Sequence, residues 1–165
     1  MAKSKTNKNQ PKTNAMRLLE QHGVSYTPHY YEDSGAVAGV DVAKTLGQDP
    51  ARVFKTLVTE GKSGEHYVFI IPVAKELDLK KAAKAVGEKS IAMIRAKELL
   101  PLTGYIHGGC SPIGMKKFFK TTLDESAVLQ ETICVSGGRV GFQVELTVDE
   151  LAGIIELGLA DLTVE

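Results

Sequence analysis

Two short apolar segments, at residues 53–59 and 66–73, constrain the fold of this chain more than any other feature of its sequence. Both are rich in β-branched and aromatic residues, which is typical of strands that are buried on both faces. The polar segment Gly61-Lys62-Ser63-Gly64 separates them and predicts a tight turn. We therefore expect a β-hairpin here, and a sheet that contains it.

The remaining elements are short helices and strands without a regular βαβ repeat. Apolar periodicity with glycine and proline stops predicts helices at residues 13–23, 40–46, 77–86 and 147–157, and a short helix that ends at Leu100-Pro101. Further strands are predicted at residues 24–31, 90–94, 117–123, 132–136 and 140–146, with Gly137-Gly138 as the turn between the last two. This mixture predicts an α+β fold, a single domain with a mixed β-sheet and surrounding helices.

The composition is that of an ordinary single-domain globular protein. The chain has 165 residues, of which 43% are hydrophobic and 24% are charged, and this length is sufficient for one core. We expect a disordered basic tail over residues 1–11 and a folded domain over residues 12–165. Because the sequence has neither an apolar segment of membrane-spanning length nor a signal-peptide pattern, we expect a cytoplasmic protein without membrane contact.

Cysteines and histidines give no sign of a disulfide framework or a metal site. The two cysteines, Cys110 and Cys134, and the four histidines are scattered without CxxC or HExxH spacing. Walker, GxGxxG and GxSxG motifs are also missing from strand–helix junctions. The sequence therefore predicts no metal and no cofactor.

The formal net charge is zero, but the charges are distributed unevenly along the chain. Residues 1–17 and 75–97 are rich in basic side chains, and Lys116, Lys117 and Lys120 form a third basic segment. The chain from Glu145 onward has no lysine or arginine. A basic face on a neutral protein can hold a phosphate backbone, and solvated helix faces are the alternative explanation.

Lys55 is the most informative single residue, because it lies within the first apolar segment. Strand alternation places it on the same face as Val53 and Leu57. An ammonium group among apolar neighbours loses hydration, so such a lysine is usually ion-paired, extends its charge to solvent, or has a function. From this strand alone, all three explanations remain open.

The second informative feature is the glycine loop, residues 108–114, with the sequence Gly-Gly-Cys-Ser-Pro-Ile-Gly. Adjacent glycines allow the backbone to approach a ligand, and Pro112 restricts the turn. Consecutive N–H groups in such a loop can bind a carbonyl oxygen or a phosphate, although a tight connection without a ligand is equally compatible. Ser136-Gly137-Gly138 leaves the same two possibilities open. A nucleophilic Cys110 activated by His107 is disfavoured, because no group that would orient the histidine is evident.

Three motifs together resemble the YbaK/EbsC family, which is related to the editing domains of prolyl-tRNA synthetases. They are Val53-Phe54-Lys55-Thr56-Leu57, the segment from Gly104 to Lys117 that contains the glycine loop, and Val135-Ser136-Gly137-Gly138-Arg139. Residues 77–83 also resemble the central helix of the family. The likeness extends from about Thr13 to Asp161 and covers essentially the whole predicted domain.

The resemblance implies a trans-editing enzyme that hydrolyses the ester of mischarged tRNA, with Cys-tRNA(Pro) as the expected substrate. Family members of this type are thought to use the thiol of the substrate itself as the nucleophile. The resemblance assigns catalytic roles to Lys55, Gly108 and Gly109. The residues that it implies in substrate binding are Tyr31, Thr56, Cys110, Ser111, Pro112, Ser136 and Gly137. The expected partners are the 3′ acceptor end of tRNA and a prolyl-tRNA synthetase; the oligomeric state is left open.

Two alternatives to this function remain at the level of sequence. One is a deacylase that prefers alanine or another small amino acid on tRNA(Pro). The other is a non-catalytic module that binds tRNA or a synthetase through its uneven charge. Measured deacylation of charged tRNAs separates all three.

Overall fold

Short helices and strands alternate along residues 11–165, which are the residues that the computed structural model describes. The helices are α1 Asn14–Gln21, α2 Gly39–Thr45, α3 Leu79–Val86, α4 Ala96–Thr103 and α5 Val148–Ala152. The strands are β1 Thr27–Tyr30, β2 Phe54–Gly61, β3 His66–Pro72, β4 Ile91–Met93, β5 Lys120–Asp124, β6 Ile133–Arg139, β7 Phe142–Leu146 and β8 Leu157–Ala160. Single 3₁₀ turns occupy Glu32–Ser34, Pro50–Arg52 and Glu125–Leu129. The predicted disordered tail, apart from Pro11, lies outside the described residues.

The predicted hairpin is confirmed: β2 and β3 pair in antiparallel register, with Lys55 opposite Ile71. They lie within a five-stranded mixed sheet of order β4-β2-β3-β5-β8, in which β5 is parallel to both β3 and β8. The remaining strands form a separate antiparallel sheet of order β1-β7-β6. The predicted α+β domain is therefore correct, but its strands are divided between two sheets.

The main core lies between the two sheets. Val68 and Ile70 of β3 pack there with Phe142 and Val144 of β7, and helix α1 adds Leu19. The alternate residues of β3 point to the opposite face and pack with α3 in a second cluster, which includes Phe69, Ile71, Ala82 and Ala83. Burial of each large apolar side chain contributes roughly 1.5–3 kcal/mol, so β3 is held from both faces.

Helix boundaries follow from side-chain caps that the sequence indicates. Thr13 accepts a hydrogen bond from the N–H of Met16 at the start of α1, and Asp78 caps α3 in the same way. The predicted capping box between Thr147 and Glu150 starts α5. None of these helices, within residues 11–165, is long and apolar enough to cross a lipid bilayer.

The predicted turn at Gly137-Gly138 is wrong. Strand β6 continues through both glycines to Arg139, and the turn is formed by Val140 and Gly141. A register shift between Ser136 and Arg139 accommodates the extra residues as a bulge, and the positive φ of Gly138, 97°, is a conformation that favours glycine. The glycines therefore bend the strand instead of ending it.

Two further boundaries differ from the prediction. The last helix, predicted over residues 147–157, ends at Ala152, and Leu157–Ala160, where no strand is predicted, form strand β8 against β5. A four-residue strand has too few positions to show a period of its own, and its pairing partner lies far away in the sequence. Helix α4 continues through Pro101 and ends at Thr103; the next residue, Gly104, adopts a left-handed conformation with φ 86°.

Candidate active site

A cleft opens where the two sheets diverge. Val53, just before β2, forms a parallel bridge with Cys134 of β6, and this is the isolated bridge that joins the sheets within the described residues. Beyond the bridge, the strands separate and enclose a cleft of about 320 Å³. Its lining combines the start of β2, the middle of β6, the glycine loop and the segment from Val37 to Val42.

In the described part of the chain, residues 11–165, the edge of β2 beside the cleft has no partner strand over its first half. Strand β4 pairs with β2 only from Thr59 to Gly61, so residues 54–57 present a free strand edge to the cleft. Lys55 lines the cleft, is partly buried, and forms no ion pair or side-chain hydrogen bond with another residue of the range 11–165. Of the three explanations for Lys55, intramolecular pairing is thus the one that the described residues do not support.

Thr56 adds a second polar group without a partner. It lines the cleft, and its hydroxyl oxygen is buried without a hydrogen bond to any described residue. An unsatisfied buried polar group costs about 1–3 kcal/mol, so such a group is unusual unless a ligand or water completes it.

The glycine loop reaches the cleft through Gly108 and Cys110. Gly108 has a φ of 85°, and a Cβ atom at this position would lie 2.7 Å from Cγ1 of Val37, so only glycine fits here. The N–H groups of Gly108 and Cys110 have no hydrogen-bond acceptor in the described part of the chain. The N–H groups of Ser111 and Gly114 also lack an acceptor among the described residues, but neither residue lines the cleft. Gly108 and Cys110 therefore supply the free donors of the loop that belong to cleft-lining residues.

Gly109 differs from Gly108 and Cys110, because its N–H is hydrogen-bonded and it lies outside the cleft lining. Its N–H donates to the carbonyl of Ile106 at 3.0 Å, and the residue does not line the cleft. A Cβ atom on Gly109 would lie 2.9 Å from the backbone nitrogen of Val140, so the absence of a side chain lets the loop pack against the β6–β7 turn. In this structure the N–H of Gly109, for which the resemblance implied a catalytic role, is used within the loop itself.

Three of the residues expected in substrate binding lie outside the cleft lining. Ser111 is fully buried, and its hydroxyl accepts a hydrogen bond from the N–H of Ile113 at 3.2 Å. Pro112 lines a separate pocket beside Met115. Gly137 lies in the β6 bulge, where its carbonyl accepts a hydrogen bond from Thr13. These residues shape the loop and the bulge that border the cleft.

Tyr31 and Ser136 do line the cleft, as the resemblance implied. Tyr31 is held by a 2.8 Å hydrogen bond from its N–H to the carbonyl of Gly141, and burial raises the pKa of its phenol. The hydroxyl of Ser136 accepts from the N–H of Gly138 at 3.1 Å, which fixes its orientation in the bulge. Tyr31 therefore contributes a neutral hydroxyl, and Ser136 an oriented one.

None of the described residues that line the cleft is an activated nucleophile. Burial raises the pKa of the Cys110 thiol to about 12, so the thiol is protonated at neutral pH. The thiolate is the reactive form of cysteine, and nothing near Cys110 lowers its pKa enough to produce it. His107 lines the same cleft but is exposed.

Sequence reasoning missed Gln143, which is buried and also lines the cleft. It forms reciprocal side-chain hydrogen bonds with Gln48, at 2.7 and 3.1 Å, and so connects β7 to the segment after α2. Strand β7 alternates apolar and polar residues, which by itself predicts that Gln143 faces solvent. Here Gln143 is shielded from solvent, because Gln48 binds its side chain and the residue lies in the wall of the cleft.

A group of potential metal ligands lies just behind the cleft. The donor atoms of His29, Cys134 and Glu145 lie within 4.8 Å of one another, although their sequence spacing gave no such indication. Glu145 is already bound by His29 at 2.7 Å, by Arg52 at 2.6 Å and by Thr132. Burial alone raises the pKa of the Glu145 carboxyl, but hydrogen bonds from Thr132 and His29 and the positive Arg52 outweigh it and hold that pKa below its usual value. The arrangement is an ion-pair network whose carboxylate is already satisfied.

Comparison with known proteins identifies the family. Residues 34–154 match the aminoacyl-tRNA editing domain. This chain belongs to the aminoacyl-tRNA editing domain family. It is 46% identical over 164 residues to a protein of Enterococcus faecalis named provisionally as the Cys-tRNA(Pro)/Cys-tRNA(Cys) deacylase EbsC, and the match covers 99% of this chain and 98% of that protein.

Two more distant relatives extend the comparison. A proline–tRNA ligase of Fervidobacterium nodosum is 27% identical over 122 residues, which cover 70% of this chain and 21% of the ligase. A crystal structure described as a provisional trans-editing enzyme for prolyl tRNA synthetase has a TM-score of 0.79 at 24% identity, covering 94% of this chain and all of that one (100%). The structural likeness confirms the fold.

Proposed function

We propose that this editing domain hydrolyses the ester of cysteinyl-tRNA, with Cys-tRNA(Pro) as its main substrate. The supporting observation is a cleft that, among residues 11–165, presents a lysine without a partner and two loop N–H groups without an acceptor, but no activated nucleophile. An aminoacyl ester is already reactive, so positioning and stabilisation of the developing oxyanion are sufficient chemistry. The 46% identity to EbsC over the full chain supports the choice of amino acid.

In the proposed reaction the substrate provides its own nucleophile. The cysteinyl sulfur attacks the ester carbonyl carbon, a C–S bond forms, and the ester C–O bond breaks. The thiol proton ends on the ribose oxygen of the released tRNA, and the other product is a thiolactone. Water then opens the thiolactone to give free cysteine.

The cleft residues divide this work between charge and geometry. The N–H groups of Gly108 and Cys110 donate to the carbonyl oxygen as it becomes negative, and a donor of this type typically contributes about 10²–10³ in rate. Lys55 places its ammonium beside the same ester as a point charge. Tyr31, Thr56 and Ser136 supply hydroxyls that orient the aminoacyl group.

The proposed route also gives specificity. A pocket discriminates poorly between small side chains that differ by one methyl or methylene group, with a limit of roughly 10–200-fold. A requirement for a thiol in the substrate excludes alanine and proline through chemistry instead of size. The enzyme therefore spares correctly charged Pro-tRNA(Pro) without a perfect steric fit.

A panel of charged tRNAs tests the proposal. Purified protein should release cysteine from Cys-tRNA(Pro) and Cys-tRNA(Cys) much faster than alanine or serine from tRNA(Pro). Serine is the matched control, because its hydroxyl replaces the thiol in nearly the same shape. A protein inert towards every mischarged tRNA would contradict the proposed deacylase activity. Faster release of alanine than of cysteine would contradict the proposed preference for cysteine.

Methylation of the substrate thiol tests whether that thiol is the nucleophile, independently of whether the protein is a deacylase. S-methylcysteinyl-tRNA(Pro) should resist hydrolysis if the thiol attacks the ester. Hydrolysis at the cysteine rate would exclude the thiol route and leave the deacylase assignment intact. Addition of a prolyl-tRNA synthetase to the same assay tests the second expected partner, since an increase in kcat/KM indicates that the synthetase delivers the tRNA.

A further inference from the structure

A second groove continues directly from the cleft, and nothing in the proposed reaction uses it. Its volume is about 410 Å³, and it shares Tyr31 and Val37 with the cleft. Beyond these two residues it is lined by Glu32, Ile106 and Arg139, together with the β6–β7 turn. We call this feature the Arg139 groove.

Arg139 is held in position but its charge remains available. The carbon of its guanidinium lies 5.1 Å from the centroid of the Phe142 ring, so the side chain rests on an aromatic surface. Its acidic neighbour, Glu32, is 3.9 Å away, at the limit of an ion pair, and 56% of the Arg139 side chain is exposed. A surface pair of this length contributes little to stability, so an anionic ligand competes with it easily.

The walls of the groove and of the cleft form one packed unit. Gly109 packs against the backbone of Arg139 and Val140, where a Cβ atom would come within 2.9–3.1 Å. Gly141 packs equally closely on Glu32, since its Cβ atom would lie 2.3 Å from Cγ of that residue. The glycine loop thus fixes the position of Arg139 relative to the free donors of the cleft.

We infer that Arg139 binds the 5′ phosphate of the terminal nucleotide when the aminoacyl ester occupies the cleft. This inference depends on the proposed function and names a subsite of the same substrate. The aminoacyl group is attached to the terminal ribose, so the tRNA must leave the cleft through an adjoining space that accepts a phosphodiester. A planar guanidinium binds phosphate through two parallel hydrogen bonds, and the exposed apolar surfaces of Val37 and Ile106 offer contact area to the ribose and base.

Three substrates of increasing length test this inference, and each carries cysteine as an ester on the terminal ribose. They are 3′-O-cysteinyl-adenosine, 3′-O-cysteinyl-adenosine 5′-monophosphate and Cys-tRNA(Pro). Arg139→Gln removes the charge and keeps a planar polar group. Arg139→Lys keeps the charge but cannot form the two parallel hydrogen bonds of a guanidinium. Lys62→Gln, an exposed cation in the β2–β3 turn, is the matched control. The readouts are kcat and KM for each ester, and the slope of log(kcat/KM) against log[salt] for the tRNA.

Arg139→Gln should leave hydrolysis of the nucleoside ester unchanged and lower kcat/KM for the two phosphorylated esters. A charge-assisted hydrogen bond is roughly twice as strong as a neutral one, so the expected loss is roughly 10–100-fold, mainly through KM. The salt dependence for tRNA should become shallower by about 0.7, the value for one phosphate of a single strand. Arg139→Lys should retain part of the effect, and Lys62→Gln should match the wild type.

Two results would overturn the inference while the proposed function stands. Equal losses on all three esters would show that Arg139 maintains the fold of the cleft, and a loss confined to the full tRNA would place the contact on another phosphate. A wild-type protein inert towards all three esters would instead overturn the proposed function.

Discussion

Two polar regions flank the junction of the sheets, and they differ in how their groups are partnered. In the network behind the cleft, the Glu145 carboxylate binds His29, Arg52 and Thr132. In the cleft, the Lys55 ammonium and the Thr56 hydroxyl have no partner among the described residues. Burial of a polar group is costly unless it is hydrogen-bonded. The satisfied network therefore supports the fold, and the unsatisfied groups are the ones available to a ligand.

The comparison is tested most strongly at Lys55. Lys55→Ala should lower the deacylation rate for Cys-tRNA(Pro) by about 10²-fold or more, because the charge near the oxyanion is lost. The free energy of unfolding should change by less than about 0.5 kcal/mol, as expected for a side chain without a partner. Single-turnover deacylation and urea unfolding measure the two quantities. A large loss of stability would show that Lys55 has a structural partner after all.

Glu145→Gln should have the opposite effects: a loss of stability with little change in activity. It leaves Arg52 without its partner in a partly buried site, so we expect destabilisation of roughly 1–3 kcal/mol, between the values for exposed and fully buried pairs. Urea unfolding checks this value. Activity per folded molecule should stay near that of the wild type, and a selective loss of activity would move this network into the active site.

The same residue predicts a pH dependence. The folded pKa of Glu145 lies below its usual value of 4.5, so its stabilisation is complete at neutral pH and is lost as the pH falls from 4.5 through the folded pKa. The difference in stability between wild type and Glu145→Gln should therefore shrink over that acidic range. A difference that stays constant on acidification would contradict the ionic origin of the effect.

Thr56→Val should separate function from stability with a smaller effect. Valine has nearly the same shape and removes an unsatisfied hydroxyl, so stability should be unchanged or should rise by up to about 1 kcal/mol. If the hydroxyl orients the substrate, kcat/KM should fall by roughly tenfold, which corresponds to one ordinary hydrogen bond. Thermal unfolding and steady-state deacylation are the measurements. Unchanged kinetics would mean that the hydroxyl is idle.

Cys110→Ala should have the smallest effect. Because the thiol is protonated at neutral pH, it contributes packing alone, and the rate should stay within a few-fold of the wild type. Iodoacetamide should likewise leave wild-type activity intact at pH 7, as expected for a thiol with a pKa of about 12. Loss of all activity in the variant would restore Cys110 as a candidate nucleophile.

Sequence patterns predicted the fold class and the central hairpin because both depend on local signals. The turn at residues 61–64 and the caps at Thr13, Asp78 and Thr147 are determined by a few neighbouring residues. The division into two sheets and the position of β8 depend on pairing between distant segments, which a local pattern does not encode. The bulge at Gly138 was predicted as a turn because both structures favour glycine.

The site could be predicted only in part for the same reason. Lys55, Thr56, Gly108 and Ser136 were found through motifs, and the fold brings them to one cleft. The neighbouring positions Gly109 and Ser111 belong to the same motif but serve the loop's own structure. A motif marks a segment as important without separating the residues that touch the ligand from those that hold the segment. Gln143 has no motif, and only the covering of its strand face reveals it.

The bridge between Val53 and Cys134 bears on how the spacing of the two sheets is set. Within residues 11–165, this pair forms the one backbone bridge between the two sheets, and elsewhere the side chains of the core set the spacing between them. We expect changes in side-chain volume deep between the sheets to alter the width of the cleft, even where the substituted residue does not line it. We therefore expect substitutions in the interior, away from the reacting groups, to change which aminoacyl groups the cleft accepts.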